Sequence, residues 1–280
     1  MAITNFIPEI WDASLLKALR NQLTYAQAGV INRNYEGDIA RAGDTVHITS
    51  FADPATRAYT KYTNITYDQL TDDTQTLVID QARYWAITVD DIDKRQALPG
   101  FIDETTTGAA YNLRADADSF VADLMVAGVD SGNELGAVTV DADGEAYDLL
   151  VEFRTLLTRS NTPSDGRFVI VPPEFYAWLL KDDRFIRLDA SGTTAGLRNG
   201  VVGRAAGFDV IESNVVPETS GGGFEVVAGH SIATTYADNL VKTEALRLEG
   251  YFGDGIRGLH VYGAKVIRPE NLASATVTVG

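Results

Sequence analysis

The sequence predicts an α+β fold, and three observations predict it. Phe101 to Gly128 keeps a helical period without interruption, several shorter stretches keep the two-residue period of strands, and the two kinds of element follow one another without a steady βαβ alternation. With 280 residues, 45% of them apolar, the chain can bury one sizeable core or two modest ones. Its net charge of −16 makes the bulk surface repel phosphate backbones and anionic lipid, which argues against a nucleic-acid grip. There is no cysteine, so disulfides, thiolate nucleophiles and cysteine metal sites are excluded. No basic flank precedes an apolar run at the N-terminus, and eighteen consecutive apolar residues occur nowhere, so neither an export signal nor a membrane segment is expected.

Residues 1 to 35 begin with an extended piece around Pro8. A helix is expected next, capped by Asp12 or Ser14, with Leu15, Leu16, Leu19, Leu23 and Ala26 as its stripe before Gly29. This is either the first helix of a globular core or an arm that packs on a neighbouring subunit. Val46 and Ile48 then alternate with polar residues as in a half-buried strand, and Leu77 with Ile79, then Trp85, Ile87 and Val89, do the same. Between the first two strands lies Ala52 to Gln75, with six Thr and three Tyr but only Ile65 and Leu70 as aliphatic anchors. Such a piece has β propensity and too little apolar surface for a core of its own. It reads as a long two-stranded arm laid on another chain, the alternative being a surface loop.

Phe101 to Gly128 reads as a spine helix of roughly 40 Å. Ile102, Thr106, Ala109, Ala110, Leu113, Ala117, Phe120, Val121, Leu124 and Met125 form its stripe, and Asp103, Glu104, Arg114, Asp116, Asp118 and Asp123 fall on the other side. Gly108 and the alanines of the stripe let another backbone lie close, and Gly128 is the stop. Asp130 to Glu145 is rich in turn residues. Ala146 to Arg159 is a second helix, Phe168 to Val171 a buried strand stopped by Pro172 and Pro173, and Glu174 to Leu180 a third helix. Residues 189 to 200 form an exposed glycine-bearing loop. Strand character returns over Val201 to Val216 with a turn at Gly207, over Phe224 to Val227 after a hairpin tip at Thr219 to Gly223, and over the pair Val241 to Leu248 and Gly258 to Ile267, joined by a bend at Gly250, Gly253 and Gly255.

Motifs with chemistry are sparse. Gly253, Gly255 and Gly258 spell G-x-G-x-x-G, but strand-like sequence follows where a dinucleotide site needs a helix, so a glycine-rich turn is expected. Gly229 to Ala233 narrowly misses the nucleophile elbow around Ser231, because Ala233 replaces the final glycine. Asp141, Asp143 and Glu145 have their glycine two places too early for a calcium loop and read as a turn capping the next helix. His47, His230 and His260 lack ligand spacing and read as structural. No carboxylate pair stands out as acid and base, so no catalytic, metal or cofactor residue is expected.

The succession of N-terminal arm, long polar hairpin, spine helix and mixed domain with returning strands, together with IVPPEF at Ile170 to Phe175, AGFDVIESNVVP at Ala206 to Pro217 and GYFGDGIRGLHVYGAKVIRPE at Gly250 to Glu270, resembles the major capsid proteins of tailed double-stranded DNA bacteriophages, the Hong Kong 97-type fold. The resemblance implies an N-terminal arm at 1 to 35, an extended loop and its base at 36 to 90, the spine helix and peripheral domain at 91 to 144, an axial domain at 145 to 240, and returning peripheral strands and the C-terminus at 241 to 280. It implies a homo-oligomer of pentamers and hexamers closing an icosahedral shell around packaged DNA that it does not bind by sequence, no enzymatic activity, no cofactor, and residence in the virion after assembly in the host cytoplasm. A portal, a separate scaffolding protein and a decoration protein are the implied partners; the start of the chain almost at the arm fits either a separate scaffold or a sequence already mature in form.

On that likeness Arg57, Tyr59, Lys61, Tyr62 and Tyr67 are the extended-loop contacts, Asp189, Thr193, Thr194, Leu197, Arg198 and Asn199 face the capsomer axis, and Phe6, Ile7 and Trp11 belong to the arm contact. Some relatives cross-link a loop lysine to a neighbour's asparagine. Lys61 and Asn271 are the residues of those types here, but no glutamate matches the assisting one, and cross-linking is not expected. A cargo-compartment shell of the same fold and a hydrolase using Ser231 are the rival readings.

Overall fold

The computed structural model describes residues 24–34, 45–51, 56–62, 64, 67, 72–90, 101–182, 203–250 and 252–280. The expected helix before residue 24, the arm residues Phe6, Ile7 and Trp11, and the whole loop at 189 to 200 lie outside them.

The fold has eleven strands in three sheets and three α-helices among the described residues. In chain order they are β1 (Thr45–Phe51), β2 (Asp72–Val78), β3 (Gln81–Asp90), α1 (Phe101–Ala127), β4 (Glu134–Val140), α2 (Glu145–Arg159), β5 (Arg167–Val171), α3 (Pro173–Lys181), β6 (Arg204–Ala205), β7 (Phe208–Glu212), β8 (Phe224–His230), β9 (Thr234–Arg247), β10 (Gly253–Val266) and β11 (Leu272–Val279). β1 and β2 form an antiparallel ribbon; β3, β10 and β9 form a second sheet in that order; the largest sheet runs β4-β11-β8-β5-β7-β6. Its β4–β11 and β5–β7 pairs are parallel and the rest antiparallel.

The run RFVIV of β5 is apolar on both faces because both faces are covered. Val169 and Val171 pack with Leu149, Leu150, Phe153 and Leu157 of α2 and with Phe175 and Leu179 of α3. Phe168 and Ile170 point the other way, into a core made with Ala117, Val121, Ala122 and Met125 of α1, Tyr25, Ala26, Val30 and Ile31 of the N-terminal segment, and Tyr236 and Tyr262 of β9 and β10. Each such large side chain contributes about 1.5–3 kcal/mol by leaving water. α1 therefore stands between the two larger sheets.

Glu145 opens α2 as expected of a capping turn: its carboxylate accepts the backbone N–H of Asp141 and Ala142 at 3.0 and 3.1 Å, with Gly144 in the left-handed region. The other end of α2 is closed by Arg167, a buried cation whose guanidinium donates to the carbonyls of Thr162 (2.6 Å) and Pro163 (2.7 Å) and to the Thr158 hydroxyl (3.1 Å).

Several expectations need correction. The turn-rich stretch before α2 contains strand β4; its alternation is masked by exposure along an edge and by a bulge at Gly136, φ +72°, where three steps on β4 match two on β11. β11 went unread because its buried positions are mostly alanines and a serine. Residues 24 to 31 form bends and turns where the end of a helix is expected, with a single closed turn in which the N–H groups of Val30 and Ile31 share the Gln27 carbonyl. Gly253, Gly255 and Gly258 are not a turn but the first half of β10, whose loop from β9 is only Leu248 to Phe252. Glycine is required there for closeness: a Cβ on Gly258 would stand 2.3 Å from the Trp85 indole of the facing strand.

On α1, Gly108 is exposed and meets nothing, so the close approach lies at the other end, where a Cβ on Gly128 would reach within 2.5 Å of Val266. Gly108→Ala is therefore expected to stabilise the protein by about 0.5–1 kcal/mol, and Gly128→Ala to destabilise it by about 1–3 kcal/mol. Thermal unfolding of the two variants beside the wild type checks both signs.

Candidate interaction surfaces

β2 begins at Asp72, earlier than the sequence suggests, and pairs with β1 from Phe51↔Asp72 to Thr45↔Val78. The ribbon is seated at its base. Ile48, Leu77 and Ile79 pack on Ala237 and Val261, Lys265 Nζ donates to the Thr76 carbonyl at 3.0 Å, and Gln75 Nε2 donates to the Ile267 carbonyl at 3.2 Å. Gly263 lets the ribbon cross β10, since a Cβ there would stand 2.3 Å from the Val78 carbonyl oxygen.

Beyond the seat, the described residues 56 to 62, 64 and 67 are all exposed. Tyr59, Tyr62 and Tyr67 are 76%, 92% and 86% accessible, values that leave three aromatic rings in water. Lys61 Nζ lies 5.0 Å from the Tyr62 ring centroid, and Tyr62 has φ +70°. Arg57 shares this surface. The five loop residues singled out from sequence thus fall together on one exposed segment, whereas the capsomer-axis and arm candidates lie outside the described residues.

Behind the seat is a buried polar junction that the sequence reading missed. Asp118, assigned to the solvent side of α1, is buried, and its carboxylate accepts the N–H of Thr24 at 2.8 Å and of Ala26 at 3.1 Å. Burial pushes this carboxyl above the usual range, while the backbone donors of Thr24, Ala26 and Tyr25 and the Arg114 charge pull it back. The buried arc of α1 is wider than one stripe because residues 24–31 cover its flank, burying Ala122 as well. Arg33, Asp238 and His260 complete the junction: Arg33 reaches Asp238 Oδ1 at 2.7 Å and His260 Nε2 lies 3.3 Å from Oδ2. A carboxylate adjoining an alanine-rich stripe was the available signal.

Ser231 does not sit in a nucleophile elbow. It occupies the turn between β8 and β9, with a strand where a helix is needed. His230 Nδ1 accepts the Ile232 N–H at 3.1 Å, and His260 is engaged with Asp238. Asn271 is buried and accepts the Thr162 hydroxyl at 2.8 Å, a placement unsuited to cross-linking. Among the described residues no group of His, Cys, Asp and Glu is arranged to hold a metal ion, and no helix is long and apolar enough to cross a membrane.

The family model for "Phage capsid protein" matches residues 71–275. The chain belongs to this phage capsid protein family. A solved structure from Mycobacterium phage Che8 is 33% identical, superposes with a TM-score of 0.72, and is matched over 98% of this chain and 98% of its own. The capsid of cyanophage P-SCSP1u superposes at 0.70 with 15% identity, over 86% and 85% of the two chains, and the virus-like particle from Pyrococcus furiosus at 0.57 with 13% identity, over 96% and 98%. No curated protein matches the sequence. The architecture is the Hong Kong 97-type fold, and this is a major capsid protein, structural and not enzymatic, of the virion shell.

Three tyrosines at the junction carry a pH consequence. Burial raises the pKa of Tyr25, with Asp118 and Asp123 adding to it; burial likewise raises Tyr236, with Asp238 adding, and Tyr262. Their folded pKa values lie above the unfolded value near 10, so their contribution is fully present below about pH 10 and is lost as pH rises past it, by about 1.4 kcal/mol per unit per tyrosine. Alkaline titration followed by tyrosinate absorbance should show these three ionising only together with unfolding; ionisation in the folded protein would contradict it.

Proposed function

We propose that this capsid protein assembles through pentamers and hexamers into an icosahedral shell that encloses packaged double-stranded DNA, using a portal and a separate scaffolding protein, in the host cytoplasm. The exposed segment of the seated arm carries this reading. Tyr59, Tyr62 and Tyr67 project from a segment with no core of its own, on a base fixed by buried contacts, and gain burial only against another subunit. Arg57 and Lys61 put positive charge on the tip of a chain whose net charge is −16, so a neighbouring copy is an attractive surface for it. Each exposed pair contributes only about 0–1 kcal/mol, and cohesion comes from repetition around a closed shell. The acidic chain repels the DNA it encloses, which leaves the genome free to move.

The loop at 189 to 200, with Asp189, Thr193, Thr194, Leu197, Arg198 and Asn199, is proposed to meet its copies at the capsomer axis, and Phe6, Ile7 and Trp11 to extend the arm contact. A cargo-compartment shell is the second reading, favoured by the likeness to the Pyrococcus furiosus virus-like particle. Contents decide between them: DNA for the first, a co-purifying protein for the second.

The test is electron microscopy with light scattering on the expressed protein, alone and with its scaffold. Closed shells or capsomer rings are expected, and their loss in a Tyr59→Ser, Tyr62→Ser, Tyr67→Ser triple variant whose Tm stays within about 2 °C of wild type. A wild type that remains monomeric even with scaffold, or a triple variant that assembles normally, overturns the proposal.

A further inference from the structure

We propose that the groove at the end of α1, walled by β4, β11 and β8, receives the Lys61–Tyr62 tip of the arm of a neighbouring copy. The inference rests on the shell reading and names the surface on which the arm lands. Register across the sheet builds the groove. Glu134 of β4 stands beside Ser274 of β11, and Thr276, two residues on, stands beside Glu225 of β8. Residues two apart on a strand share a face, so these four lie on the face that carries Leu272 and Val227 into the core with α1. Val126, in the last turn of α1, joins them in lining a groove of about 210 Å³.

The groove offers two kinds of contact. Glu134 is exposed, Glu225 is half-buried with one oxygen accepting the Thr276 hydroxyl at 2.8 Å, and neither is in an ion pair among the described residues. Val126 and the bare backbone of Gly136 supply the apolar part. Gly136 lies in the bulge of β4 at φ +72°, and a Cβ there would meet nothing within 4 Å, so the backbone beside it is open to a visiting side chain. β4 is also the outer strand of its sheet, seven residues with no Pro or Lys to blunt the edge.

The arm of a second copy fits both. β1 ends at Phe51 and β2 begins at Asp72, so Lys61 and Tyr62 are the middle of the connection, and they form a turn there. Lys61 is ten residues beyond Phe51, a reach of up to about 35 Å. The tip carries a cation beside an aromatic ring: the Lys61 ammonium lies 5.0 Å from the centroid of Tyr62, which is 92% accessible. Tyr62 also holds φ +70°, a costly conformation for a bulky side chain and one of the kind kept where a segment is shaped for a contact. Lys61 is matched to Glu134 and to the second oxygen of Glu225, and the Tyr62 ring to Val126 and Gly136.

The test uses the full chain assembled into particles. Lys61→Glu and Glu134→Lys should each lower particle yield by about tenfold or more, because each sets like charges together at every repeat of the contact, and the two combined should restore it. Electron microscopy with light scattering reads the yield. The chain has no cysteine, so Lys61→Cys with Glu134→Cys gives a second readout that needs no charge reversal. A short bismaleimide should join the subunits of such particles into a ladder on a denaturing gel and leave each single variant as monomers. Charge reversals that leave the yield unchanged, a folded combined variant that stays unassembled, or cross-links that form in Lys61→Cys alone or only within one subunit overturn the groove as landing site while the shell reading stands. A loss in Glu134→Lys without one in Lys61→Glu assigns the groove to another occupant and overturns it too. A wild type that forms no particles overturns both.

Discussion

A helix buried on two sides must answer the hydrogen-bonding groups of whatever backbone is pressed against it, and on α1 the Asp118 side chain does so. Asp118 accepts the amides of Thr24 and Ala26, and that contact lets residues 24–31 lie along the helix flank with these two donors satisfied. Once the segment is in place, Tyr25, Val30 and Ile31 fill the space between α1, β5 and the β9–β10 pair. The two larger sheets then share one core. Without an acceptor at that position the same apolar contacts would bury orphaned N–H groups, at about 1–3 kcal/mol each.

The seat of the arm follows from the same packing. β10 is held from one face by α1, with the Phe120 and Tyr262 rings edge to face at 5.6 Å, and it offers its other face to the β1–β2 ribbon through Val261 and the bare backbone of Gly263. A ribbon fixed so firmly at its base can hold a tip whose described residues are all exposed. The packing of Ile48, Leu77 and Ile79 and the hydrogen bonds at Gln75 and Thr76 lie at the seat, and among the described residues Tyr59, Tyr62 and Tyr67 beyond it are exposed.

Patterns made of large side chains were legible in the sequence. The spine helix, the buried β5, the break at Pro172 and Pro173, and the polar, threonine-rich arm with its tyrosines could all be read from residue type and period. Two strands, β4 and β11, could not. One is bulged at a glycine and half exposed, and the other buries Ala273, Ser274 and Ala275 between Leu272 and Val277, so small residues interrupt its signal. The glycine triplet at 253 to 258 was misread for a related reason, since glycines that admit a facing indole look in sequence like glycines that turn a chain. The junction was the least legible part. Asp118, Arg33, Asp238 and His260 are far apart in the chain, and only the folded arrangement shows that one helix is covered on two flanks and so turns a polar residue inward.

The central claim is that the subunit is complete up to the seat of its arm and incomplete beyond it. Hydrogen exchange compared between dissociated subunits and assembled particles tests this most directly. The account predicts that amides in β5, β8, β10 and α1 are protected alike in both states, whereas those around Tyr59, Tyr62 and Tyr67 exchange freely in the subunit and become protected on assembly. Equal protection of the tip in both states, or protection of the core only after assembly, would contradict it.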